Sequence, residues 1–552
     1  MNRLLPLLCV GILATHMRAA DTPDGAADAK DASTAAAVGT SSEDLQRLRD
    51  QIAQEAEQIK KLQQAVESQQ KLIEQTLRNS TAASAGSVHP IVGSEPVKLV
   101  PVVSATHPRT RDQSQHETTN VSPLSIHIGD TAFTPLGFVD ATFFGRSTNV
   151  GSGIGTNFGS IPYNTSASGH LSEMNFSTQN SRIGFRVDSN VLEAKVLGYF
   201  EADFLGNQPG NVFVSSNSDT FRIRNVFVDV QKGGFEVLGG QDWSMATPGR
   251  KGISPLPGEI FYTQDMDTNY QAGLVWARQT QFRFVVHPNE NIAFGVSLEN
   301  PQQYIGGSSG GSSIVLPAAF TSLAGTQFDN GSSNYGAPNL HPDIIFKGAL
   351  DGHAGDKLFH VEAAGIVRTF KAAYGLGTPA TYHTSSATAA SGEVNANFEV
   401  AKGVRLVANT FFGSGNGRYV FGQAPDVIVR ADGSISPVHT YSTVDGFEAN
   451  ATKNTLLYGY YGGIYVKRDV VVDANGKLVG YGFTGSSNSQ NRAIQEATFG
   501  VVQTLWKNQN YGALSLITQY SYLTRNPWYV ATGTAKDSRT NMYWVDLRYT
   551  LP

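Results

Sequence analysis

The chain has 552 residues, of which 16% are charged and 40% hydrophobic, and its formal net charge is −5. That balance gives no general electrostatic attraction to nucleic acid. The 57 glycines, 29 phenylalanines and 21 tyrosines point to many short strands joined by polar loops rather than to a helical protein.

Residues 1–20 read as a secretory signal peptide. Asn2-Arg3 supplies a charged start, Leu4 to Ala14 an apolar run, and Ala19-Ala20 the exit. The run is too short for a spanning helix. Cys9, the single cysteine, lies inside the signal, and Leu8 before it disfavours a lipoprotein, so the mature chain carries no thiol and no disulfide. Residues 21–40 have the Ala, Asp, Gly and Thr composition of a disordered segment.

A coiled coil is predicted over 41–78. Leu45, Ile52, Ile59, Val66 and Ile73 recur every seven residues, and Leu48 and Leu62 share the second core position with Glu55, Gln69 and Thr76. A trimer is preferred over a dimer. At ~1.5 Å per residue the helix would be about 55 Å long. Residues 79–122 form a linker whose His89, His107 and His116 are too scattered for a metal site.

From 123 to 552 the pattern is that of strands. In "SRIGFRVD" (181–188), Ile183, Phe185 and Val187 oppose Arg182, Gly184, Arg186 and Asp188, and "QFRFVVH" (281–287) alternates in the same way. Sixteen segments stand out. The first eight are 136–144, 181–188, 194–204, 219–231, 234–242, 268–278, 281–288 and 291–299. The others are 343–351, 357–370, 392–400, 403–412, 455–468, 494–506, 510–523 and 541–551. Short turns (232–234, 401–403, 507–510) contrast with long Gly, Ser, Asn and Thr-rich loops (145–180, 242–267, 300–342, 413–454, 524–540). Turns at one rim and loops at the other are the mark of an outer-membrane antiparallel β-barrel. Strict alternation of the two lengths fails at 288–290 and across 413–493. Counting 258–264 as a strand and 470–483 as a hairpin would give eighteen, whereas sixteen leaves 242–267 free to fold into the lumen.

The chemistry of such a barrel lies in its inward charges. Alternation places Arg182 with Arg186 on one face and Arg222 with Arg224 on another, and adds Arg283, Arg405 and Arg548. The 242–267 loop carries Asp242, Arg250, Lys251 and Glu259, with Asp265 and Asp267 at its end. Wall arginines facing loop carboxylates would create a transverse field that sorts solutes by charge. The competing expectation is that the arginines pair with Glu201, Asp203, Asp229 and Glu236 on the wall itself. Enzymatic motifs fail. Gly306-Gly-Ser308-Ser-Gly310 sits in a low-complexity run without the strand–turn–helix that a nucleophile elbow needs. Asp265-x-Asp267-x-Asn269 begins like a calcium loop but has Tyr270 and Trp276 where Gly and Glu belong. No cofactor and no metal are expected.

Five stretches in fixed order, "TPLGFVDATFFGRSTNVGSGIG" (134–155), "STQNSRIGFRVD" (177–188), "GYFEADFLG" (198–206), "VLGGQDWS" (237–244) and "QDMDTNYQAGLVWAR" (264–278), resemble DcaP-like porins of Gram-negative outer membranes. The resemblance is strongest over 124–300. It implies a homotrimer of sixteen-stranded barrels with a periplasmic coiled coil, set among outer-membrane lipid and lipopolysaccharide with peptidoglycan nearby. It also implies passage of small hydrophilic solutes, dicarboxylates among them, and no enzymatic activity. The chain departs from the usual aromatic terminus by ending Tyr549-Thr-Leu-Pro552. The alternative expectation is a non-conducting trimeric adhesin or envelope structural protein.

Overall fold

The computed structural model describes residues 122–206, 219–260, 264–307, 313–329 and 336–552. The signal peptide, the 21–40 segment, the coiled-coil positions Leu45, Leu48, Ile52, Ile59, Leu62, Val66 and Ile73, and the linker up to 121 lie outside the described residues.

Sixteen antiparallel strands form the wall. They are β1 (Thr131–Arg146), β2 (Arg182–Val191), β3 (Ala194–Asp203), β4 (Arg222–Lys232), β5 (Phe235–Trp243), β6 (Arg278–Asn289), β7 (Ile292–Glu299) and β8 (Asp343–Ala354), followed by β9 (Lys357–Leu376), β10 (Thr381–Ala401), β11 (Val404–Ser414), β12 (His439–Thr452), β13 (Thr455–Val466), β14 (Asn491–Asn508), β15 (Gly512–Pro527) and β16 (Ser538–Thr550). Each pairs with its sequence neighbours, and β1 pairs with both β2 and β16, which closes the barrel. Two short pieces complete the seam along β1. Ile126–Ile128 pairs with Thr131 to Phe133, and Glu173–Ser177 pairs with Thr142 to Arg146. The C-terminus is tied in at the same seam: the Leu551 amide donates to Gly137 O (3.1 Å) and the Ser122 hydroxyl to Pro552 O (2.9 Å).

Side-chain distribution is the inverse of a soluble barrel. Ile183, Phe185, Phe282, Phe284, Phe346 and Phe412 are exposed on the outer surface, while Asp140, Asp203, Asp242, Glu299, Asp343 and Arg368 are buried inside. An apolar exterior around a polar interior is what a barrel solvated by lipid requires. Among the described residues no helix is long and apolar enough to cross a membrane.

Two differences from the sequence-based strand assignment cancel in the count. Residues 268–277 are not a strand; Leu274, Val275 and Trp276 are apolar because they are buried as part of a loop spanning 244–277. Conversely, 413–454 is not one loop, because it contains β12. With those changes the alternation becomes regular, and 290–291 is simply the turn between β6 and β7. The 470–483 hairpin exists as Asp469–Val472 paired with Leu478–Tyr481, but in a loop and not in the wall. One rim carries turns of two or three residues. The other carries seven longer loops and the overlong β9–β10 hairpin.

These loops fold inward. Phe158 and Ile161 of the first loop, Met245, Ile253 and Met266 of the 244–277 loop, Phe320 and Phe328 of the fourth, and Tyr419, Val427 and Ile435 of the sixth share one buried cluster. The apolar core of the protein therefore sits inside the barrel mouth, where loop residues meet inward wall residues such as Ile345, Ile366 and Phe411.

Candidate functional site

Arg182 of β2, Arg222 and Arg224 of β4 and Arg278 at the start of β6 converge on one inner quadrant. Arg224 is the centre. Its Nε donates to Glu201 Oε1 (2.8 Å), Nη1 to Asp203 Oδ2 (2.7 Å) and Nη2 to the Tyr270 hydroxyl (3.0 Å). Arg222 grips Asp203 with two bonds (3.0 and 2.7 Å), and Arg182 reaches Glu201 at 3.4 Å. Arg278 has no carboxylate within ion-pair distance among the described residues, and its guanidinium lies 5.4 Å from the Trp243 ring centre. Four guanidinium groups thus face two carboxylates.

The field of this surplus shows on an uncharged neighbour. Burial alone would raise the Tyr270 phenol, yet Arg224, Arg182 and Arg278 outweigh it and bring the group below the ordinary tyrosine range. Tyr270 takes a left-handed backbone conformation (φ 62°), rare for a bulky residue. The strain places its ring 5.9 Å from Trp243 and 5.3 Å from Trp276, with Phe421 stacked on Trp276 at 4.9 Å. Alternation does not single out Arg278, because in a strand over 268–278 it shares a face with Leu274 and Trp276 and so reads as outward.

The other sequence-derived arginines do not join this group. Arg186 pairs with Asp188 of its own strand (2.5 Å). Arg283 pairs with Asp242 (3.1 Å), which is the penultimate residue of β5 and not part of a loop. Arg548 grips Asp140 with two bonds of 2.7 Å, and Arg405 stands 4.0 Å from Glu448. Glu201 and Asp203 are the wall partners expected for the arginines, whereas Glu236 meets His287 (2.9 Å).

The expected polarity of wall and loop is reversed. Arg182, Arg222, Arg224 and Arg283 pair with wall carboxylates and not with loop ones, and other wall carboxylates hold the loop. Glu299 accepts from the Met245 amide (2.9 Å), Glu362 from Gly249 (2.8 Å), Asp351 from Gly252 (2.9 Å) and Glu496 from Ala272 (2.9 Å). Glu448 takes both Arg250 amino groups (2.9 and 2.7 Å). The chain also passes close over β13. A side chain at Gly273 would strike Gly463 backbone at 2.4 Å, and one at Gly462 would strike Ala272 O at 2.2 Å, so only glycines permit the approach. Of the loop acids, Glu259 accepts the Arg250 amide through its carbonyl (2.7 Å). The Asp267 carboxylate binds the amides of Thr156 (3.0 Å) and Asn269 (2.8 Å). Burial raises Asp267 above the usual aspartate range, against the opposing field of Arg146. Asp265 is half-buried and Lys251 exposed.

Asp267 is therefore occupied with backbone amides and not open to a cation. Among the described residues no group of three or more His, Asp or Glu could hold a metal ion. Ser308 of the elbow-like motif lies outside the described residues.

A closed antiparallel barrel with an apolar exterior and a polar interior is the form in which β-strands span an outer membrane. The outer-membrane channel DcaP of Acinetobacter baumannii shares this fold, with a TM-score of 0.54 at 16% identity over 77% of this chain and 98% of that one. Salmonella typhi OmpF (TM-score 0.42, 12% identity, 77% and 99% covered) and an anion-selective porin from Comamonas acidovorans (0.41, 13%, 76% and 99%) align more loosely. No protein-family model and no curated protein sequence matches the chain.

Proposed function

We propose that the protein is a trimeric outer-membrane porin through which small hydrophilic solutes diffuse passively, with preference for anions such as dicarboxylates. The observation that carries this is the excess of guanidinium groups at Arg182, Arg222, Arg224 and Arg278 over Glu201 and Asp203, inside a barrel whose exterior is apolar. Arginine suits the role because its planar fork binds carboxylates through paired hydrogen bonds. The loop 244–277 acts as the constriction, held against the opposite wall by carboxylates that are thereby withdrawn from solute. The N-terminal heptads clamp three chains in the periplasm.

Outward aromatic residues support subunit contact through one sector. Up to β9 the exposed aromatics among the described residues are all phenylalanine, among them Phe185, on which the half-buried Phe133 and Phe200 stack at 5.3 and 5.2 Å; beyond it they include Tyr382, Tyr441, Tyr461, Tyr465, Trp506, Tyr520 and Tyr543. Tyrosine and tryptophan belong at a lipid–water interface, and phenylalanine in a dry contact. Phe185→Asp is expected to convert the trimer to monomer on native gels, while Tyr461→Asp leaves it intact.

The loop core in the mouth favours a second reading, a plugged barrel serving adhesion or envelope structure. Liposome swelling with purified protein separates the two: uptake of succinate faster than of an equal-sized neutral sugar supports the porin. No swelling from folded trimer supports the plug.

A further inference from the structure

His360 of β9 lies between the two carboxylates that hold the elbow of the inserted loop. Its Nδ1 is 2.9 Å from Asp351 Oδ1 and its Nε2 3.1 Å from Glu362 Oε2. The other oxygen of each acid accepts a loop amide: Asp351 Oδ2 from Gly252 and Glu362 Oε1 from Gly249. The imidazole is thus the shared back support of a two-point clamp. The site is tight, because a side chain at Gly249 would come within 3.0 Å of Glu362 Oε2.

Charge around the ring is unevenly distributed. From β8 come Asp351 and Lys347, whose Nζ donates to Glu362 Oε1 (2.9 Å) and to Thr247 O (2.9 Å). From β9 comes Glu362, and from β10 Glu393, buried and close enough to act on the same pair. The loop contributes Arg250, already bound to Glu448 of β12, and the exposed Lys251. Only a doubly protonated ring can donate to Asp351 and Glu362 together. A neutral ring donates to one and turns a lone pair toward the other, which repels the facing carboxylate oxygen and turns the acid away from the ring.

We propose that His360 is the positioning residue of the constriction: as imidazolium it orients both clamp carboxylates onto the Gly249 and Gly252 amides, and its deprotonation frees the elbow of the loop. It does not touch solute. It acts through Asp351 and Glu362, so its loss changes loop mobility and not the charge that solute meets at the arginine quadrant. The sign is definite. The loop is held at low pH and released as pH rises through the titration of His360.

The proposal concerns the same loop as the porin reading, so its test uses a readout that does not depend on conductance. Hydrogen–deuterium exchange of the 244–256 segment, corrected for the intrinsic pH dependence of exchange, is measured on the purified full-length protein between pH 5 and 9. Wild-type protein is expected to lose protection of this segment severalfold as pH rises, with the 264–277 segment unchanged. His360→Gln should be unprotected at every pH, and His360→Arg, a permanent cation with two donors, should stay protected at every pH. Exchange in wild type that is flat with pH, or His360→Gln behaving like wild type, overturns the proposal. If His360→Arg fails to fold, the wild-type profile and His360→Gln still decide. Open-channel current noise rising with pH in wild type but not in His360→Arg is the matching electrical result. Absence of any current would count against the porin reading and leave the exchange result standing.

Discussion

Two sectors of the barrel's inner wall are built from similar materials and do opposite work. In the sector of β2 to β6, arginines satisfy Glu201 and Asp203 and still have charge to spare. In the sector of β8 to β14, Asp351, Glu362, Glu448 and Glu496 are equally inward and polar, yet they are engaged by the inserted loop. The lesson is that counting charges on a barrel wall does not give the charge a solute meets. What counts is which groups still have unfilled hydrogen-bonding capacity after the loop is anchored. A backbone amide takes a carboxylate out of service as a cation does, while leaving no mark in the sequence.

The most drastic way to disturb this comparison is Arg224→Ala. It strips Glu201 and Asp203 of their central partner and leaves three guanidinium groups against two carboxylates, so anion preference should fall sharply. Because the side chains are almost fully buried, unfolding stability should fall by about 3 kcal/mol, read from the temperature at which gel mobility shifts. On the acidic side, Glu448→Gln weakens a charge-assisted pair to Arg250 and should cost about 1–2 kcal/mol. Its signature is larger conductance with little change in selectivity, since the loop loosens while the arginines stay.

Arg278→Gln is a milder and cleaner probe. With no carboxylate to strand, it should leave stability within about 0.5 kcal/mol of wild type. Anion preference should still fall measurably, by roughly twofold. The smallest expected effect is on Tyr270. Its phenol, lowered by the arginines, should ionise before ordinary tyrosines in an ultraviolet titration, and Arg278→Gln should move it back upward. A Tyr270 that titrates normally would mean that the quadrant carries no surplus charge.

Much of the wall was legible because lipid outside and water inside impose a period of two, as in β2 and β6. β12 was hidden for a physical reason. Its outward row, Tyr441, Thr443, Asp445 and Phe447, and its inward row, Thr440, Ser442, Val444, Gly446 and Glu448, both mix polar with apolar residues. Conversely, Leu274 to Ala277 resembled a strand because a loop packed inside a barrel is as apolar as a wall. The arginines of β2 and β4 were legible as an inward group. Their partition was not, since Arg186 turns to Asp188, Arg283 to Asp242, and Arg278 enters from a position read as the end of a strand. Loop length was visible in composition, but the anchoring acids lie on five different strands, and only the closed barrel brings them around one loop.

The central claim is that the uncompensated arginines set what passes. The direct test is the reversal potential of purified protein in a planar bilayer under a tenfold potassium chloride gradient, repeated at low and high ionic strength. The account predicts closure in three equal steps and a potential of the sign given by chloride preference, weakening at ~1 M salt, where screening extends over only about 3 Å. A cation-preferring potential, or folded trimers that pass no current, would contradict it.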